Sequence, residues 1–296
     1  MTISRARLID ILWLLALMAF VLAGMTLVSF HGDEAMQIYM SGDFATTFID
    51  RDLDYLSAGP PYFIDDDNWL RILNGTVTRQ LIGLSWHVAG LSDDMRPDRP
   101  GWDWGLDYDR NVETGHRPPD AMLYASRLVS TLFFAFSVPL MFALGKLFGG
   151  RPTAYFTSAV YTLNPVVLLN GRRAMMEGAL LFFGILTVLI AAVIVYRREQ
   201  DKRISWLWWL GLILASGLAI ASKHSGATYV AAAFGGLFIA ELLTAWRYRR
   251  WRGLLFGVLR LAVCGMLTVA LFVALSPALW SDPIARLQDL VSVRSD

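Results

Sequence analysis

The residues best placed to do chemistry are His31-Gly32-Asp33-Glu34, where a long apolar stretch gives way to a polar one. Two adjacent carboxylates at that depth are costly to bury, and acids at or inside a membrane edge are often functional. One reading makes Asp33 a general base and Glu34 a second acid that holds a metal ion or substrate hydroxyls. The other makes the pair a solvated exit from the apolar segment, opening a helix near Ala35 whose N-terminus favours acids. Position alone leaves both open.

Cations form the second group. Asn170-Gly171-Arg172-Arg173-Ala174-Met175-Met176-Glu177 lies between two apolar stretches, and Lys223-His224 lies between two more. A phosphate is the natural partner for such arginines, because a guanidinium matches it in a bidentate way. The plainer readings are snorkelling to lipid head groups, or pairing of one arginine with Glu177. Arg127, at the start of another apolar stretch, completes the set. The expected substrate-binding residues are therefore Arg127, Arg172, Arg173, Glu177, Lys223 and His224.

Other acid clusters carry less. Asp50, Asp52 and Asp54, then Asp65-Asp66-Asp67, then Asp103, Asp107 and Asp109 read as solvated surface groups. Asp107, Asp109, Asn111 and Glu113 alternate like a calcium loop, but Val112 stands where its turn glycine belongs. There is no glycine-rich phosphate loop, nucleophile elbow or two-histidine metal helix. Cys264 is the one cysteine, so no internal disulfide framework is possible, and it reads as a small packing residue. No cofactor is implied with certainty. A divalent metal is compatible with the acids, with Glu34 as its candidate ligand.

Membrane helices must position these groups. Seven apolar stretches suit a bilayer crossing of about 20 residues: 11–30, 128–145, 152–170, 178–196, 204–222, 225–245 and 253–276. The expected class is thus an all-α integral membrane protein forming a single domain over 1–296. The first stretch reads as a retained span rather than a secretory signal. With the N-terminus cytoplasmic, the clusters around Arg5, Lys146, Arg197 and Arg247 fall on one side, as the positive-inside rule asks. The opposite, extracytoplasmic side then receives the loop 31–120, the turns at Arg172 and Lys223, and the tail 277–296, which reads as a shortened one.

Charge sorts the same way. The 296 residues carry a formal net charge of +1, yet 30–120 hold 17 of the 25 acids and 7 of the 26 bases. That segment stands at −10 and the remainder at +11, which excludes a uniformly basic nucleic-acid binder. Within the loop, Leu70, Leu73, Val77, Leu81, Leu84, Val88 and Leu91 form a helical stripe. It predicts one interfacial helix over 68–91, lying on the outer membrane surface.

An acid pair just past the first span, a long outer loop with surface helices and charged outer turns resemble the GT-C superfamily of glycosyltransferases. More narrowly, the chain resembles its bacterial and archaeal branch related to protein O-mannosyltransferases. The matching pieces include Gly32-Asp33-Glu34, Ala125-Ser126-Arg127-Leu128-Val129-Ser130, Leu163-Asn164-Pro165 and Arg172-Arg173-Ala174-Met175-Met176-Glu177. Ala221-Ser222-Lys223-His224-Ser225 and Pro277-Ala278-Leu279-Trp280 also match. The resemblance implies an inverting transfer of a sugar from a polyprenyl-phosphate donor to a hydroxyl of a protein or glycolipid, in a prokaryotic plasma membrane. It makes Asp33 the base and Glu34 the second acid. Relatives usually continue beyond the point where this chain stops. A transporter or flippase is disfavoured, because Glu241 and Arg260 sit at span ends rather than mid-membrane. A non-catalytic assembly protein remains the third class.

Overall fold

A computed structural model describes residues 4–63, 66–200, 202–249 and 251–295; Asp65, Arg250 and Asp296 lie outside the described residues. Every regular element among them is helical. We number the helices α1 (Arg5–Ala23), α2 (Gly32–Met40), α3 (Asp67–Leu73), α4 (Thr76–Val88), α5 (Tyr108–Glu113) and α6 (Asp120–Leu163). There follow α7 (Pro165–Gly171), α8 (Glu177–Glu199), α9 (Trp206–Ser222), α10 (Gly226–Tyr248), α11 (Trp251–Ala274) and α12 (Pro283–Ser295).

Among the described residues, five helical segments are long and apolar enough to cross a membrane: Arg5–Leu27, Asp120–Leu163, Glu177–Glu199, Gly226–Tyr248 and Trp251–Ala274. The expected count of seven differs from this for identifiable reasons. The expected stretches 128–145 and 152–170 share the α6 run, which is not straight. Gly149 and Gly150 leave helical geometry, and Gly150 adopts φ +72° and ψ −163°, a region open essentially to glycine. The chain doubles back there, so that Gly145 lies against Ala154 and Thr157 while Phe134 and Ser137 meet Tyr161. α6 is therefore an antiparallel hairpin of two helices.

Its second arm ends at Asn164, whose side chain caps α7 by accepting from the Val166 and Val167 amides at 3.0 and 3.1 Å, with Pro165 in the first helical turn. Stretch 152–170 is thus a broken helix. Stretch 204–222 becomes α9, whose 17 residues span about 25 Å. The first helix also begins earlier than expected and ends at Ala23, ahead of a short 3₁₀ turn.

α8 packs against α6, α9 and α10, while α1 lies along α6 and α11 along α9 and α10. Ile190, Ile194, Leu212, Leu237 and Leu261 form one core; Leu17, Val21, Phe134, Val138 and Ile185 form another. Leu12, Leu15, Phe238, Ile239, Leu255 and Leu259 remain exposed on the outer faces of α1, α10 and α11. Such an apolar exterior suits lipid rather than water.

The two ends of the bundle differ. At one, Asp10 accepts from the Tyr155 hydroxyl at 2.7 Å and from Arg151 at 3.2 Å, with Lys146 at 3.6 Å, and Arg198 pairs with Glu241. At the other, the segment 31–120 is folded onto the helices, with Ile38, Ile82 and Trp86 packed on Met122, Leu123 and Ala174.

The loop helix over 68–91 is corrected in two respects. It is two helices, α3 and α4, separated at Asn74-Gly75, where Gly75 presses on the Ser222 carbonyl so closely that a Cβ would sit 2.1 Å from it. Its packing face is also mixed rather than apolar: Arg71, Ile72, Arg79, Ile82 and Trp86 are buried, while Leu84 and Val88 of the expected stripe are exposed. Asp43 draws the arginines inward, accepting from Arg71 at 2.9 Å and lying 3.2 Å from Arg79. The tail folds back as α12, with Arg286 donating to the Tyr62 hydroxyl at 2.8 Å and that hydroxyl donating to Asp289 at 2.9 Å.

Candidate active site

At the loop end of the bundle α2 begins. His31 is its N-cap: its Nδ1 accepts from the Asp33 amide at 3.2 Å, and the His31 amide donates to Glu34 Oε2 at 3.0 Å. This reciprocal capping fixes the first turn and turns the two carboxylates to different sides.

Glu34 points inward and is fully buried. Arg127 Nε and Nη2 donate to its two oxygens at 2.7 and 2.8 Å, and the Ala174 amide adds a third donor at 2.8 Å. Arg127, itself 1% exposed, uses Nη1 on the carbonyls of Val28 at 2.9 Å and Met25 at 3.3 Å. A fork-to-fork pair so fully hydrogen-bonded ties the end of α1, the start of α2, α6 and the turn before α8 into one joint.

Asp33 faces the other way. Its side chain is 42% exposed, and among the described residues the one basic side chain within 4.0 Å of its carboxylate is His31, with Nδ1 at 3.6 Å. The His31 ring in turn meets Trp104 edge-on at 5.9 Å.

The two arginines of the next turn also part company. Arg172 is spent on the C-terminus of α1, where Nε donates to the Val21 carbonyl at 2.9 Å and Nη2 donates to the Phe20 carbonyl. Its guanidinium lies over the Phe20 ring and against Gly24. Arg173 is 8% exposed, yet its contacts are thin: Nη2 reaches Ser29 Oγ at 3.5 Å, and its buried Nε has no hydrogen-bond partner. Among the described residues no carboxylate pairs with it. A buried polar group without a hydrogen-bond partner costs free energy, so this guanidinium is under-satisfied.

Lys223 donates to Glu177 Oε1 at 2.5 Å, joining the end of α9 to the start of α8, while Glu177 Oε2 is buried without a partner. The acid that an arginine was expected to pair with thus serves the lysine. His224 lies edge-on to Phe272 at 5.7 Å.

The structure thus gathers Glu34, Arg127 and Ala174 at one joint, with Asp33 on its open side. Arg173 joins them through Ser29, and Lys223 and Glu177 form a separate pair at the same end. Among the described residues no three His, Cys, Asp or Glu side chains converge to hold a metal ion. The oxygens of Glu34 are already engaged.

Several participants were missed from sequence. Trp104 stands beside His31, and away from the acid pair Asp43 gathers Arg71 and Arg79 into a buried cluster.

The geometry is that of a helical bundle carrying an exposed acid, Asp33, and a buried arginine with few contacts, Arg173, at one end. Comparisons with known proteins assign the family. The family model described as dolichyl-phosphate-mannose-protein mannosyltransferase matches residues 101–279, and the chain belongs to that family. It is 26% identical over 167 residues to dolichyl-phosphate-mannose–protein mannosyltransferase 2 of Candida albicans, a match covering 56% of this chain and 19% of the relative. The chain therefore spans about a fifth of that relative's length. The family match takes in Arg127, Arg172, Arg173, Glu177, Lys223 and His224, whereas Asp33 and Glu34 precede it.

Proposed function

We propose that the protein transfers mannose from a polyprenyl-phosphate carrier to a hydroxyl of a protein acceptor. Asp33 removes the acceptor proton as the oxygen attacks the anomeric carbon. The bond from that carbon to the phosphate oxygen breaks on the opposite face, so the centre inverts. The departing lipid phosphate needs no protonation, only cations to receive its charge. Arg173 is the first of these, with Lys223 beside it once Glu177 yields part of its hold. Arg172, Glu34 and Arg127 hold the frame in which these groups stand.

The observation that carries this reading is the division of labour in the acid pair: Glu34 is locked to Arg127 and Asp33 is left accessible. In the topology we propose, the two arms of α6 cross separately and α9 crosses as well, giving seven passes with the N-terminus cytoplasmic. The loop 31–120 then lies on the extracytoplasmic face of a prokaryotic plasma membrane. The lipid tail of the donor stays in hydrocarbon while its head group meets the loop.

The reading is tested by supplying membranes containing the chain with polyprenyl-phosphate mannose, glucose and arabinose, each with a serine- and threonine-bearing peptide. The expected product is mannosyl peptide with inverted anomeric configuration. Transfer of none of the sugars, or retention of configuration, contradicts it.

A further inference from the structure

One surface beside Asp33 is unexplained by the transfer chemistry. Trp104 is 64% exposed and Tyr108 is 52% exposed, yet both sit on a braced turn. Asn111, fully buried, holds that turn from within: its Oδ1 accepts from the Asp103 amide at 2.9 Å, and its Nδ2 donates to the carbonyls of Asp103, Leu106 and Asp107. Asp103 Oδ1 accepts from the Gly105 amide at 2.7 Å, tightening the tip. Below, Trp102 packs on Phe30 at 5.2 Å and on Tyr108 at 5.8 Å, and Arg117 lies over Phe30. The aromatic rings are thus held up by the fold. Rigid exposed Trp and Tyr side chains supply contact area at low entropic cost, the usual make-up of a binding surface.

Charge narrows what binds. Asp103, Asp107 and Asp109 have no Lys or Arg within 4.0 Å among the described residues, because Arg110 is paired with Glu113 and Arg117 with Asp120. An indole face next to unpaired carboxylates attracts a cation. Trp104 meets the ring of His31, which in turn flanks Asp33. A ligand on this ledge is therefore delivered to the proposed base.

We infer that the Trp104–Tyr108 ledge docks the acceptor as an extended polypeptide segment with a Lys or Arg close to the hydroxyl residue that receives the sugar. The inference rests on the reading of Asp33 as the base. Binding of fluorescein-labelled short peptides to the full chain in nanodiscs, followed by anisotropy, tests it without requiring turnover. Two peptides share one serine and carry either lysine or glutamate flanks. The lysine-flanked peptide is expected to bind about tenfold more tightly, and Trp104→Ala to remove most of that advantage, with Trp104→Phe in between. Asp109→Asn reduces the preference, and added salt erodes it.

Trp104 projects outward, so its variants should unfold at the wild-type temperature. Equal affinity for both peptides, or unchanged affinity in Trp104→Ala and Asp109→Asn, overturns the assignment. A loss equal for both peptides and seen only with anionic lipid would instead make the ledge a membrane contact. Asp33→Asn separates the two readings, since it should bind the lysine-flanked peptide normally and fail to glycosylate it. If it still transfers sugar, the base is misassigned; if the ledge variants bind normally while Asp33→Asn is inactive, the ledge alone is.

Discussion

Asp33 and Glu34 are neighbours in sequence with opposite fates, because successive residues of a helix point about 100° apart. Glu34 exchanges solvent for four donors, two from Arg127 and the amides of Ala174 and His31, and removing either member of the ion pair leaves a buried charge unmatched. Glu34→Gln or Arg127→Ala should therefore destabilise the protein by about 3–5 kcal/mol, seen as a lower unfolding temperature in detergent. Asp33→Asn, on an open surface, should change stability by no more than about 0.5 kcal/mol. The arginines divide similarly. Arg172→Ala frees the Phe20 and Val21 carbonyls at the end of α1 and should lower stability by about 1–3 kcal/mol. Arg173→Ala removes a buried cation with few contacts, and should instead weaken binding of polyprenyl phosphate. Equal losses of lipid affinity in the two variants would contradict this division. The sequence displayed all of these residues, and family resemblance pointed to the acid pair. It could not display that Glu34 would meet Arg127, 93 positions away, because partner choice across that separation is decided by how α2 docks on α6.

Among the elements, the α6 hairpin was legible: Gly149-Gly150-Arg151-Pro152 is a breaker between two apolar stretches, and both arms were expected. The loop helices were not, since an apolar stripe does not reveal whether it faces protein or lipid. In α4 the protein side is taken by Arg79, Ile82 and Trp86, which leaves Leu84 and Val88 exposed. The junction at Gly75 is testable. Gly75→Ala drives a methyl group into the Ser222 carbonyl and should cost about 1–3 kcal/mol while lowering transfer, because α3 and α4 lose their seat on α9. Retained stability and activity would show that the seat can shift. The loop should also be sensitive to alkali. Tyr39 donates to Asp67 and Tyr62 to Asp289, and burial, with the nearby carboxylates, pushes both phenols up to about 12. A raised pKa means that the folded state holds its protons longer than the unfolded chain does. The stabilisation is thus complete below the ordinary phenol value of 10.0 and is lost as pH rises toward about 12. Tyrosinate absorbance should show one late-titrating group fewer in Tyr39→Phe than in the wild type.

At the scale of the whole molecule, near-neutrality is the sum of an acidic loop at one end and a basic set of turns at the other. Among the described residues, four acids outside that loop are paired locally: Asp10 by Arg151, Glu241 by Arg198, Glu177 by Lys223 and Asp289 by Arg286. The loop acids around Trp104 are not, so the fold concentrates uncompensated negative charge beside the site. The proposed orientation predicts that a cysteine at Asp109 reacts with an impermeant thiol reagent from outside intact cells, while one at Gln200 does so only after permeabilisation. The reverse pattern would invert the map. The account as a whole depends on Asp33 acting where Glu34 only supports. Its most direct test is mannosyl transfer from polyprenyl-phosphate mannose to a peptide, measured in the Asp33→Asn variant at matched expression and unfolding temperature. A loss of at least about a hundredfold, the scale of a missing general base, is predicted. Transfer at the wild-type rate would contradict it.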